Sequence, residues 1–443
     1  MDDARTERIL AALRSGVAPA TGCTEPISLA YAAARAAAEL GEPVERIRAS
    51  VSPNVMKNAM AVMVPGTGMP GLEIAAAVGA LDGDPTAGLA VLGSLTPGGV
   101  SAARRMVDEG RVAVEVADVT DDLFAQATVL GAGHAVTVSI AGSHTNVYRV
   151  ERDGRPVLDL PRPEPTQATP TTEFLRTLTL RDCYDVATTV PVERIEFILE
   201  AEQLNRELSE AGQGGNYGLG VGRAMLRAID AGLSSGDLSS RMVALTSAAS
   251  DARMGGAPLP AMTNAGSGNQ GITATLPVSI AADDRGATRE ERIRALTLSH
   301  LTALYIHASL PVLSAFCAAV TAGMGAAAGL GLLLDGRYQT VERAVSTMAG
   351  DTIGMVCDGA GASCAMKVAS SVGSATRAVL LALNDARVPG NNGMVFDDVD
   401  ETIRGIGRLA TRGMAGTDPE ILQIMLSKSQ ASGRHATGPA AGA

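Results

Sequence analysis

The hydrophobic period of the 443-residue chain changes partway along. Before residue 160, short runs such as 135–140 and 147–150 place apolar side chains at alternate positions, the period of a strand with one buried face. The Ala-rich stretch 27–40 lacks that alternation and predicts a helix. The pair Asp153-Gly154, between 147–151 and 156–160, reads as a hairpin turn. Residues 1–160 are therefore expected to form a mixed α/β domain.

The segment LPRPEPTQATPTT, 160–172, is rich in Pro and Thr without an apolar period, and marks the expected domain boundary. Beyond it the pattern turns helical through 192–208, 225–231, 289–334, 341–348 and 362–383. This predicts an all-helical, Ala/Gly-rich domain over 173–432, with the tail GRHATGPAAGA, 433–443, disordered. The fold class is α+β. Residues 254–282 and 308–334 carry no charge, and the second run is long enough to raise a membrane-spanning reading. Its Ala, Gly and Ser content, Pro311, and the lack of an aromatic belt or flanking basic cluster favour a buried core helix or helix pair.

Aromatic residues make up 2% of the chain and Trp is absent, so stacking on nucleic-acid bases is poorly supplied. A net charge of −11 further disfavours nucleic-acid or anionic-membrane partners and points to a small soluble ligand. The opening MDDARTERILAALRSG shows no secretory pattern, so a cytoplasmic location is expected. Homo-oligomerisation through the Ala/Gly-rich helices is an open expectation.

Five cysteines, Cys23, Cys183, Cys317, Cys357 and Cys364, form an odd and scattered set, unlike a disulfide framework. Cys357 and Cys364 lie seven apart within GMVCDGAGASCAMK, on either side of Gly359 to Gly361, and Cys317 lies upstream in ASLPVLSAFCAAVTAG. Three thiolates would hold a [4Fe–4S] cluster with one iron left open; small apolar core residues are the competing reading. No paired CxxC and no histidine spacing supports zinc, and His307 reads as a core histidine. Cys23, in ATGCTEPIS at the start of a helix, is a candidate base or nucleophile because the helix dipole favours thiolate. Asn54, Lys57 and Asn58 share a face if helical. TNAGSGNQG offers Ser267, Asn269 and Gln270 around a small anion.

The segments GCTEPISLAYAAA, NVMKNAM, VPGTG, TNAGSGNQGI, LPVLSAFCAAVTAG, CDGAGASCAMK and TDPEILQIMLSK, in this order, resemble the L-cysteine desulfidase family, related to the α-chain of iron–sulfur L-serine dehydratases. The resemblance implies a [4Fe–4S] lyase that converts L-cysteine to hydrogen sulfide, ammonia and pyruvate. It places the cluster on Cys317, Cys357 and Cys364 and the catalytic thiol at Cys23. Asn54, Lys57, Asn58, Ser267, Asn269 and Gln270 are then expected to hold the substrate's carboxylate and ammonium. Cys183 matches no motif and is read as structural.

An L-serine dehydratase, or a lyase acting on a related amino acid, is the nearest alternative. A pyridoxal-phosphate enzyme is weaker, because Lys57 lies far from the SGNQG loop. A membrane or ligand-binding protein without catalysis is the reading from another class.

Overall fold

The computed structural model describes residues 3–21, 24–164, 168–311 and 314–435. The chain opens with α1 (Asp3–Gly16) and β1 (Pro19–Thr21). It continues through α2 (Thr24–Leu40), β2 (Arg46–Val51), α3 (Pro53–Ala59), β3 (Met63–Val64), β4 (Met69–Pro70), α4 (Leu72–Asp82) and α5 (Pro97–Asp108). Then β5 (Val112–Val116), β6 (Phe124–Gly131), β7 (His134–Ala141), β8 (Val147–Arg152) and β9 (Arg155–Asp159) join β2 in a six-stranded sheet of order β5-β2-β6-β7-β8-β9. The β2–β5 pair is parallel and the others are antiparallel.

Alternation explains how the sheet is covered. Ile47, Ala49 and Val51 of β2 point inward while Arg46 and Arg48 face out, and α2, α4 and α5 close the inner face. The outer face is polar: the hydroxyls of Thr128 and Thr137 meet at 2.9 Å across β6 and β7, and Gln126 donates to Ser139 at 2.9 Å. Asp153 and Gly154 form the expected turn, with φ of 50° and 74°, the left-handed pair a two-residue hairpin needs.

The remaining elements are α6 (Pro170–Leu175), α7 (Leu180–Thr189), α8 (Leu199–Gly214), α9 (Val221–Asp230), α10 (Leu238–Met254), β10 (Pro260–Met262), α11 (Gly268–Asp284), α12 (Arg289–His307), α13 (Ala318–Asp335), α14 (Tyr338–Thr352), α15 (Cys364–Leu383), α16 (Val399–Arg408) and α17 (Thr417–His435). Helix α13 lies at the centre against α11, α12, α14 and α15. Its lack of charge before Asp335 reflects burial against these neighbours. It is long and apolar enough to span a bilayer, yet 72% of it is buried within the protein.

The fold is α+β as expected, but the packing does not follow a cut at 160–172. Ile9, Leu10 and Leu13 of α1 bury into the helical core, and β1 pairs with β10, so the second body is not all helical. At the other end Leu422 of α17 buries into the sheet's core. An amphipathic helix shows which face is apolar, not which core receives it. Helix α6 begins inside the expected linker, the 289–334 run breaks after His307, and 192–198 forms two 3₁₀ turns before α8. Helix α17 continues through His435, into the expected disordered tail, because helix propagates readily from existing turns; residues 436–443 lie outside the described residues.

Candidate active site

Four helices, α2, α11, α13 and α15, aim their first turns at one cavity of about 170 Å³. Glu25 enters from α2, Ser267 and Asn269 from α11, Cys317 and Ala318 from α13, and Cys364 and Lys367 from α15. Each helix N-terminus carries partial positive charge and unpaired N–H groups. Together with Arg253 and Lys367 they make an anion-receiving site within a chain of net charge −11.

The three cysteines reach this cavity from separate segments. Cys317 caps α13, and its N–H donates to the Met355 carbonyl at 3.1 Å. The Cys357 N–H donates to the Ala315 carbonyl at 2.7 Å, so a short antiparallel bridge between Phe316 and Val356 clips the two loops together. Cys364 opens α15, donating from its N–H to Gly361 at 3.0 Å. Burial, then the neighbouring Cys357, pushes the Cys317 thiol up to about 12, and burial likewise raises Cys364. Burial pulls Lys367 down, but its bond to Asp358 outweighs that and leaves it raised. Cys183 sits in the helical core with its thiol raised well above the ordinary range by burial.

Among the described residues, no group of three or more Cys, His, Asp or Glu side chains is gathered tightly enough to hold a single metal ion. A cubane cluster makes a different demand, because each thiolate binds its own iron at a separate corner. Three thiols lining one cavity, facing helix N-termini that offset negative charge, fit that demand. Binding a metal would also reverse the raised thiol pKa values, since a coordinated thiol is deprotonated.

The expected substrate residues divide. Asn58, Ser267 and Asn269 line the cavity. Asn269 accepts from the Ser250 hydroxyl at 3.0 Å and Ser267 caps α11 by accepting from the Gln270 N–H. Gln270 lies a layer beneath, fully buried, donating to Asn264 at 2.7 Å. Asn264 in turn donates to the carbonyl of His300 at 3.0 Å, and His300 Nε2 meets Thr275 Oγ1 at 2.9 Å. That hydroxyl already donates to Gly271, so Nε2 carries the imidazole proton. Gln270 thus supports the loop from below.

Asn54 and Lys57 also fall outside the cavity. Asn54 donates to Asp122 at 3.2 Å in a neighbouring cavity, and Lys57 is fully buried in an ion pair with Asp418. Asn54, Lys57 and Asn58 all lie in one helix, the condition set for a shared face, but only Asn58 reaches the cavity, and the partner of Lys57 comes from the opposite end of the sequence. Cys23 lies outside the described residues; Glu25, two positions on, lines the cavity.

Arg253, His144, His307, Glu25 and Lys367 also line the cavity, although the motif reading gave none of them a role in the site. Arg253 had a readable signal, as the last charge before the uncharged 254–282 stretch. A Cβ at Gly268 would stand 2.1 Å from its Nε, so glycine there leaves room for the guanidinium. His307 is not a satisfied core histidine: Nδ1 has no hydrogen-bond partner, and burial lowers the ring to about 4. Burial also lowers His144, whose Nε2 is unpartnered.

Residues 87–423 match the family described as serine dehydratase alpha chain, and the chain belongs to that family, one of dehydratase- and lyase-type proteins. It is 50% identical to a UPF0597 protein of Latilactobacillus sakei over 428 residues, which covers 96% of this chain and 99% of the relative. A UPF0597 protein of Cutibacterium acnes is 59% identical over 351 residues, 79% of this chain and 99% of the relative. One from Chromobacterium violaceum is 54% identical over 418 residues, 94% and 96% of the two chains.

Proposed function

We propose that the chain is an iron–sulfur-dependent lyase that removes the β-substituent of a small amino acid, with L-cysteine giving hydrogen sulfide, ammonia and pyruvate. The observation that carries this reading is the gathering of Cys317, Cys357 and Cys364 at one cavity faced by four helix N-termini. Those thiolates would hold a [4Fe–4S] cluster. When bound, the cluster supplies a Lewis-acidic iron with an open position for the β-substituent.

The chain's own residues do the rest. Arg253 and the N-terminus of α11, capped by Ser267, receive the substrate carboxylate. Glu25 and Asn58 face its ammonium. Cys23, which directly precedes α2 in the sequence, takes the Cα proton as thiolate. The electron pair freed at Cα forms the Cα–Cβ double bond as the Cβ–S bond breaks, with its pair leaving on sulfur. Water then hydrolyses the resulting enamine, through its imine, to pyruvate and ammonia. The half-buried His144 and His307, held neutral by burial, keep positive charge off the cavity wall at neutral pH. The reading suits a cytoplasmic enzyme with a small soluble substrate.

The family description favours a second substrate, L-serine, whose β-hydroxyl would leave in place of the thiol. Anaerobically prepared protein should release sulfide and pyruvate in equal amounts from L-cysteine. Pyruvate from L-serine alone would transfer the same chemistry to the hydroxyl substrate. Absence of product from both, in iron-loaded protein, would contradict both.

A further inference from the structure

Lys57 is one of three lysines in the chain and is fully buried. Its ammonium is paired with Asp418, in the first turn of α17, and lies 3.5 Å from the backbone carbonyl of Cys357. Its own carbonyl presses on the same loop: a Cβ added at Gly359 would stand 2.4 Å from Lys57 O, and Gly359 has a φ of +97°. Met425 of α17 flanks that glycine as well. Helix α3 therefore grips the Cys357 loop from two sides, and α17 supplies the charge that lets a buried ammonium be held there. An unpaired ammonium at this depth would be strongly disfavoured.

We propose that the Lys57–Asp418 ion pair is a positioning device through which the C-terminal helix α17 sets where the Cys357 thiolate stands. The cluster role of that thiolate rests on the functional reading above; the position of the loop does not. Lys57 and Asp418 act through Cys357 and touch no reacting atom. Residues that orient a metal ligand are usually as consequential as the ligand's own geometry.

The test is the Lys57→Met/Asp418→Leu double variant, which removes both charges and so leaves no orphaned ion to unfold the protein. Circular dichroism and thermal melting establish that it folds. After anaerobic reconstitution it should retain iron against a chelator series with affinity lower by about 10–100-fold, and show an altered electron paramagnetic resonance spectrum. In the metal-free proteins, iodoacetamide labelling mapped by mass spectrometry should show Cys357 reacting faster relative to Cys317 and Cys364 than in the parent. Asp418→Glu keeps the charge pair while displacing it by one methylene, and should shift the Cys357 rate in the same direction by less. Parent labelling rates at Cys357 in both folded variants would overturn the proposal. The labelling needs no cluster, so a parent protein that binds no iron would count against the functional reading alone.

Discussion

Two cavities meet α3 one turn apart, one at Asn54 and the other at Asn58, with Pro311 and Ser314 lining both, and they differ in charge. The larger, about 470 Å³, is lined by Asp121, Asp122 and Asp418 together with Asn54. The smaller, about 170 Å³, holds the three thiols, Arg253 and Lys367, and receives the N-termini of four helices. In the larger cavity the carboxylates are already engaged: Asp121 with Arg162, Asp418 with Lys57, and Asp122 with Asn54. Burial, opposed by the Asn54 bond, leaves Asp122 raised. In the smaller, His144 and His307 keep unpartnered ring nitrogens. Volume is thus a poor guide to chemistry here. The smaller cavity combines positive potential, nucleophilic side chains and unused hydrogen-bonding capacity, the combination a small anionic substrate requires.

The sharpest way to break this contrast is to remove the thiols one at a time. Cys317→Ser, Cys357→Ser and Cys364→Ser should each lower turnover by about 10³-fold or more, the loss of several kcal/mol of Lewis-acid stabilisation. A steady-state assay beside iron quantification checks this. Parent turnover in any one of them would remove that residue from the ligand set.

Arg253→Met comes next. Loss of one charge-assisted contact to the carboxylate, about 1.5–3 kcal/mol, should reduce kcat/KM by about 10–100-fold. Kinetics with L-cysteine, alongside iron content equal to the parent's, would separate this from damage to the cluster site.

The histidines under and beside the cavity give a pH dependence. Burial holds His300 at about 3 and His307 at about 4 in the folded protein, below the ordinary 6.5. Protons therefore bind the unfolded chain more readily. The stability these rings contribute is present above pH 6.5 and is lost as pH falls toward those values. At pH 5 each should cost up to about 2 kcal/mol. Urea midpoints at pH 8, 6 and 5 would show the decline, and His307→Gln should flatten part of it.

The smallest effect distinguishes the two asparagines on α3. Asn54→Ala, in the carboxylate cavity, should cost about 1 kcal/mol of stability with turnover near the parent's. Asn58→Ala should raise KM. Equal effects from the pair would erase the functional difference between the two cavities.

The sequence was most informative where the signal is local. The hairpin at Asp153-Gly154, the helix through Leu40 and the α+β class followed from turn chemistry and period. The three clustered thiols, with Asn58, Ser267 and Asn269, followed from motifs. What escaped was non-local. Asp418 and Lys57 are separated by most of the chain, and nothing near either residue names the other. Helices α1 and α17 each cross to the other body, because an apolar stripe fits either core. His144 and His307 carry no spacing signature, and their unpartnered nitrogens exist only once the fold surrounds them.

The most direct measurement is the metal stoichiometry of anaerobically reconstituted protein, read together with the thiols that the metal protects. The account predicts about four iron and four sulfide per chain, with Cys317, Cys357 and Cys364 all shielded from alkylation and exposed again once iron is chelated. Iron-free protein after reconstitution, or bound iron that leaves any of the three thiols as reactive as in the metal-free chain, would contradict it.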